Sequence, residues 1–208
     1  MFMAVGIGDS MYEIWPIIFI LLISILLLAY RRKVNLSYLF FLSIFWTYLA
    51  FAIDKVFFPI HITGDFADAH REGAPDLYVN LIPFYFGPYA ALEGSFISSM
   101  QNILLTMPFG FGLHFLIQLK SKHYLWIAPA LGLVFEGLQY ILSLLLGYFY
   151  RFVDINDLLF NALGVLIGYG LLRIFAFVYM TTTEKFSIEH EGISAYVYRV
   201  AAHAHARS

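Results

Sequence analysis

The stretch EIWPIIFILLISILLLAYRRK, residues 13–33, decides what kind of molecule this is. An apolar run broken only by Ser24 extends from Ile14 to Tyr30, with Glu13 before it and Arg31, Arg32 and Lys33 after it. A helix needs roughly 20 apolar residues, with a range of about 17–25, to cross a hydrocarbon core of about 30 Å. The run meets that length. A secretory signal carries its positive charge in front. Here the order is reversed, so the segment reads as a retained helix with its N-terminus outside.

Four further stretches qualify: Leu36–Ile53, Ile103–Leu119, Tyr124–Leu146 and Leu158–Tyr179. The expected fold is an all-α integral membrane protein, a polytopic bundle of about five transmembrane helices with its C-terminus inside. Composition agrees. Of 208 residues, 61% are hydrophobic and 12% charged, with a mean hydropathy of +0.77. A soluble domain carries about 25% charged residues and must turn much of its surface to water. A net charge of −2 and the lack of a basic patch exclude nucleic acid as a partner. Without cysteine there is no disulfide, thiolate metal site or Cys nucleophile.

Lys and Arg test the orientation, because they accumulate on the cytoplasmic side. With the N-terminus outside, Arg31, Arg32, Lys33, Lys120, Lys122, Arg173, Lys185, Arg199 and Arg207 fall inside. Only Lys55, Arg71 and Arg151 fall outside. Residues 1–53 then form two N-terminal spans, and 54–179 an outer loop followed by three spans. Residues 180–208 form a polar cytoplasmic tail, whose ending AAHAHARS reads as a disordered terminus or an appended remnant.

Polar residues gather in four segments. In Asn80-Leu81-Ile82-Pro83-Phe84, Pro83 removes a donor and holds Ile82 extended, making a rigid turn beside apolar residues. Ala90–Met100 reads as a short interfacial helix; the simpler reading is a loop dipping into the headgroups. Asn102, Thr106 and Gly110 fall at i, i+4 and i+8, on one helix face that Pro108 should kink. A small-residue packing stripe is the alternative. Glu136 lies near mid-membrane, where an ionised carboxylate costs roughly 2.5–3.5 kcal/mol, with Gln139 at i+3. A neutral Glu bonded to another helix is the plain reading; a paired or wet Glu is the functional one.

The fourth segment is Arg151-Phe-Val-Asp154-Ile-Asn156-Asp157, followed by Asn161, Gly164 and Gly168. Asp154 suits an N-cap and Asp157 the third helical position, both at the positive end of the helix dipole. Capping accounts for Asp154 by itself. Asp157, Asn161, Gly164 and Gly168 line one helix face, and Arg151 could pair with an aspartate or a phosphate. The helical rise arranges these as a cleft opening outward. Asp157, Asp154, Arg151 and Asn102 stand at its mouth, Asn161 and Gln139 line it, and Glu136 forms its floor. His61, Asp65, Asp68 and His70 match no defined metal spacing and read as a solvated loop.

Taken in order, these segments resemble the VanZ-like family, named for a protein of teicoplanin resistance in bacteria. The resemblance runs from the Asn-Leu-x-Pro-Phe box at 80–84 through the Asn-plus-Pro-Phe-Gly helix at 102–110. It continues through Glu-x-x-Gln at 136–139 and ends with the Asp-x-x-Asp, Asn and Gly series at 154–168. Each motif alone is weak; four in order are specific. Many members have one helix before the Pro-Phe box where this chain has two. Some have a further C-terminal helix where this chain ends in a polar tail.

The resemblance implies a multi-pass protein of the bacterial cytoplasmic membrane, linked to glycopeptide or lipoglycopeptide tolerance. The expected partner is a membrane lipid, a lipid-linked envelope component or the lipoglycopeptide itself. Glu136, Asp154 and Asp157 are the acid–base, hence catalytic, candidates, because carboxylates in unlike environments titrate apart. Asn80, Asn102, Gln139, Arg151 and Asn161 are the ligand-binding candidates. No metal or cofactor is assigned. The competing readings are a small-molecule or proton-coupled transporter and a scaffold whose polar residues fasten helices. Few polar residues lie on the inner half, which favours an outward pocket over a through-path.

Overall fold

The computed structural model describes residues 6–7, 15–31, 35–61, 68, 70–71, 79–86, 92–148 and 151–206. Six helices carry them: α1 (Trp15–Arg31), α2 (Leu36–Phe57), α3 (Leu92–Leu116), α4 (Ser121–Leu146), α5 (Ile155–Phe186) and α6 (Gly192–Ala206). Among the described residues, three are long and apolar enough to cross a membrane: α2, α4 and α5. α1 has 17 residues. α3 contains the expected third span, yet Gln101, Asn102, Thr106 and His114 dilute its apolar character. It also begins at Leu92, so the expected interfacial helix and the span are one continuous rod running through Pro108.

α3 and α5 run side by side in the same direction, and their backbones touch. A Cβ placed on Gly110 would overlap the Val165 carbonyl, and one on Gly168 the Met107 carbonyl. Only glycine permits that approach, the small-residue seam familiar between membrane helices. α4 returns antiparallel and places Gly132 against Leu158. α2 crosses α3, where Tyr48 Oη donates to the Leu105 carbonyl at 2.7 Å. Phe45 fills the space over Gly112.

Two short bridges close one end of the bundle. β1 (Gly6–Ile7) pairs antiparallel with β2 (Ile60–His61). β3 (Val79–Asn80) pairs parallel with β4 (Val153–Asp154), setting Asn80 opposite Asp154. α2 and α4 finish at this end, and α3 and α5 begin there.

The opposite end differs from expectation. α5 has 32 residues, about 48 Å at the helical rise, and outlasts a hydrocarbon core of about 30 Å. After a left-handed Ser187 the chain folds back as α6. Val200, Ala201 and Ala204 of α6 are buried against Phe115, Leu172, Ala176 and Met180. Residues 201–206 of the ending read as a disordered terminus or an appended remnant thus belong to a packed helix. Val200, Ala201 and Ala204 fall at i, i+1 and i+4 on one helix face, a stripe masked in the sequence by His203 and His205 beside it.

Candidate functional site

Asp154 is the N-cap of α5: its Oδ1 accepts from Asn156 N at 2.8 Å, as the Asp-x-x-Asp pattern predicts. The same oxygen accepts from Asn80 Nδ2 at 2.9 Å. Asn80 also donates to the Tyr85 carbonyl, at 2.8 Å, and accepts from Ile82 N at 3.0 Å. Asn156 completes the latch. Its Oδ1 accepts from Phe84 N at 2.6 Å, and its Nδ2 donates to the Tyr85 carbonyl at 2.9 Å. Residues 80–85 are thereby fastened across the N-terminus of α5.

The latch holds Phe84 in a left-handed backbone, φ 60°, a region that a bulky residue occupies at a cost of about 1–3 kcal/mol and that persists only where surroundings impose it. What the strain achieves is display. Leu81, Ile82 and Phe84 are 72%, 63% and 70% exposed, directly beside the buried Asn80 and Asn156.

Below the latch lie the remaining polar groups. Asn102 Nδ2 donates to Asp157 Oδ1 at 2.6 Å. Thr106 Oγ1 donates to the Asn161 carbonyl at 2.8 Å. The face of α3 carrying Asn102, Thr106 and Gly110 therefore meets the face of α5 carrying Asp157, Asn161, Gly164 and Gly168. Asn161 is 3% exposed, and among the described residues its Oδ1 has no hydrogen-bond partner. A buried orphan acceptor of this kind calls for an explanation, such as a water or a ligand.

Glu136 is placed otherwise than the helical rise suggested. Its Oε2 accepts from Asp154 N at 3.1 Å, so it is level with the cap of α5 and not beneath it. Asp154 therefore lies about 15 Å, ten residues of helix, back along α4 from its end at Leu146. The floor passes instead to Thr106 and Asn161. Glu136, Asp154 and Asp157 consequently stand close enough to repel one another, with Arg151 acting on Asp157 from the rim. Arg151 is exposed, its Nη2 3.5 Å from the Lys55 carbonyl.

Among the described residues, each carboxylate keeps an oxygen without a protein donor: Glu136 Oε1, Asp154 Oδ2 and Asp157 Oδ2. A carboxyl group that is partly solvated, or that meets a donor from outside, can take or give a proton there. Gln139 does not join the group. Its Nε2 donates to the Val56 carbonyl at 3.1 Å, tying α4 to the end of α2.

The structure thus gathers Asn80, Asn102, Glu136, Asp154, Asp157 and Asn161, leaves Arg151 at the rim and turns Gln139 away. Asn156 was missed as a site residue although it is 2% exposed at the centre of the latch. A turn carrying Pro83 and Phe84 needs anchoring of both N–H and carbonyl, and asparagine supplies both partners. Nothing in either segment alone links them. The model of one protein family, VanZ/LLP1, matches residues 45–176, well over half of the chain and all of the cluster. No curated relative and no solved structure matches.

Proposed function

The chain belongs to the VanZ/LLP1 family, and from that premise we propose that its polar cluster binds the headgroup of an amphiphilic envelope component from the outer leaflet. The protein is then a multi-pass protein of the bacterial cytoplasmic membrane, with five spans and its N-terminus outside. The nine-to-three partition of Lys and Arg supports that orientation. Both short bridges and the carboxylates then face the envelope.

One observation carries the reading: an exposed apolar lip, Leu81, Ile82 and Phe84, is latched beside the buried Glu136, the half-buried Asp154 and Asp157 and an orphan amide oxygen. An apolar lip enters acyl chains at the depth where headgroups begin, so the polar cluster is set at headgroup level. Spare oxygens on three carboxylates and on Asn161 favour a donor-rich headgroup, one bearing ammonium, hydroxyl or peptide N–H groups. Arg151 at the rim suits a phosphate or carboxylate on the same molecule. A lipid-linked cell-wall precursor or a lipoglycopeptide has both features, which supports the link to drug tolerance. Glu136, Asp154 and Asp157 would be the acid–base groups if the bound component is also modified.

Single substitutions Glu136→Gln, Asp157→Asn and Arg151→Ala test this, with folded yield and lipoglycopeptide tolerance measured in cells. Normal yield with lost tolerance is the expected outcome. Collapsed yield in all three would make the cluster a structural fastening and end the proposal.

A further inference from the structure

Arg199 and Asn35 are shared by two adjoining cavities at the opposite end of the bundle. The first, about 700 Å³, is polar and aromatic, with Tyr38, Gln118 and His203 in its wall. The second, about 940 Å³, is an apolar trough between α1, α2 and the start of α6, walled by Ile23, Leu27, Phe40 and Ile193. Both volumes fall within the roughly 300–1,000 Å³ of sites that hold small molecules. A polar chamber beside an apolar trough, with Asn35 and Arg199 in both walls, suits one headgroup and its chain.

The chemistry of the junction fixes the sign of the headgroup. Among the described residues no carboxylate lines either cavity, whereas the Arg199 guanidinium borders both. Its position over the Tyr196 ring, 5.7 Å from the centroid, steadies it at the rim. Asn35 caps α2, its Oδ1 accepting from Ser37 N at 2.8 Å, which leaves its Nδ2 as a donor toward the chamber. Gln118 and Tyr38 add further donors. Arg31, Lys120 and Lys122 lie at this same end, and juxtamembrane cations of this kind attract anionic lipid.

We propose that these joined cavities bind an anionic phospholipid, with its phosphate on Arg199 and Asn35 and an acyl chain in the trough. The site is separate from the carboxylate cluster and does not depend on the function proposed for it.

The test is a titration of the purified full chain in nonionic detergent with phosphatidylglycerol, phosphatidylcholine and glycerol 3-phosphate, followed by native mass spectrometry. Phosphatidylglycerol should bind at least tenfold more tightly than phosphatidylcholine. Arg199→Gln changes an exposed side chain and should remove about fivefold of that preference. Ile193→Trp, also at an exposed position, should fill the trough and weaken both lipids. Lys185→Gln, an exposed cation outside both walls, should leave the preference within twofold. Equal binding of the two lipids would overturn the proposal, as would a preference that survives Arg199→Gln or falls equally with Lys185→Gln. Displacement of lipid by an equal concentration of glycerol 3-phosphate would overturn the acyl half.

Discussion

At one end of the bundle Asn80, Asn102, Glu136, Asp154, Asn156 and Asp157 gather amides and carboxylates. At the other, His114, His203, Tyr124, Tyr169 and Ser121 gather rings and a hydroxyl. His114 Nε2 meets His203 Nδ1 at 3.1 Å, and its Nδ1 meets Tyr124 Oη at 3.4 Å. Tyr124 stacks on Tyr169, centroids 3.9 Å apart, and Tyr169 Oη meets Ser121 Oγ at 2.7 Å. Each of these side chains can both give and accept, and their contacts fasten α6 to α3 and α4, and α4 to α5. The first network cannot close, because its carboxylates only accept when ionised and its amides are already directed at backbone. Both networks hold helices together. Among the described residues the first leaves acceptors on three carboxylates and on Asn161, and that surplus is what a site needs beyond a fastening.

The largest effect should come from the seam that serves both networks. Gly168→Leu must separate α3 from α5 and should cost about 3 kcal/mol, measured by unfolding in mixed micelles; a cost near zero would mean that the two ends are held independently. Asn156→Ala should be next. It strips the half-buried Phe84 N–H of its partner, at about 2 kcal/mol, so amide exchange should accelerate at Ile82, Phe84 and Tyr85 and stay unchanged in α6. His203→Ala should cost about 1 kcal/mol and expose α6 to protease without altering what the carboxylate end retains. If it empties the carboxylate end, the two networks are one.

The faces of α3 and α5 were legible because helical spacing alone aligns Asn102, Thr106 and Gly110, and likewise Asp157, Asn161, Gly164 and Gly168. The Asp154 cap was equally local. Glu136 was misplaced because depth was counted along α4, as if every helix began at one level. The level at which α5 begins, ten residues back along α4, is set by the connection between the helices, and no periodicity reports it. Gln139 faces α2 rather than the cluster, a choice made by packing between helices distant in sequence. The α6 helix was hidden because polar histidines lowered its apolar average while its stripe of Val200, Ala201 and Ala204 remained. Asn156 was overlooked because capping and latching are read from two segments 71–72 residues apart.

The surplus of acceptors is tested most directly by Glu136→Gln. Glutamine retains the oxygen that accepts from Asp154 N and replaces the spare acceptor, with its charge, by an amide donor. Thermal unfolding and native mass spectrometry on the same purified sample would report fastening and binding separately. A stability change within about 0.5 kcal/mol, together with loss of the co-purifying amphiphile, is the expected result. An amphiphile retained at wild-type level would contradict the account, and so would a collapse in stability.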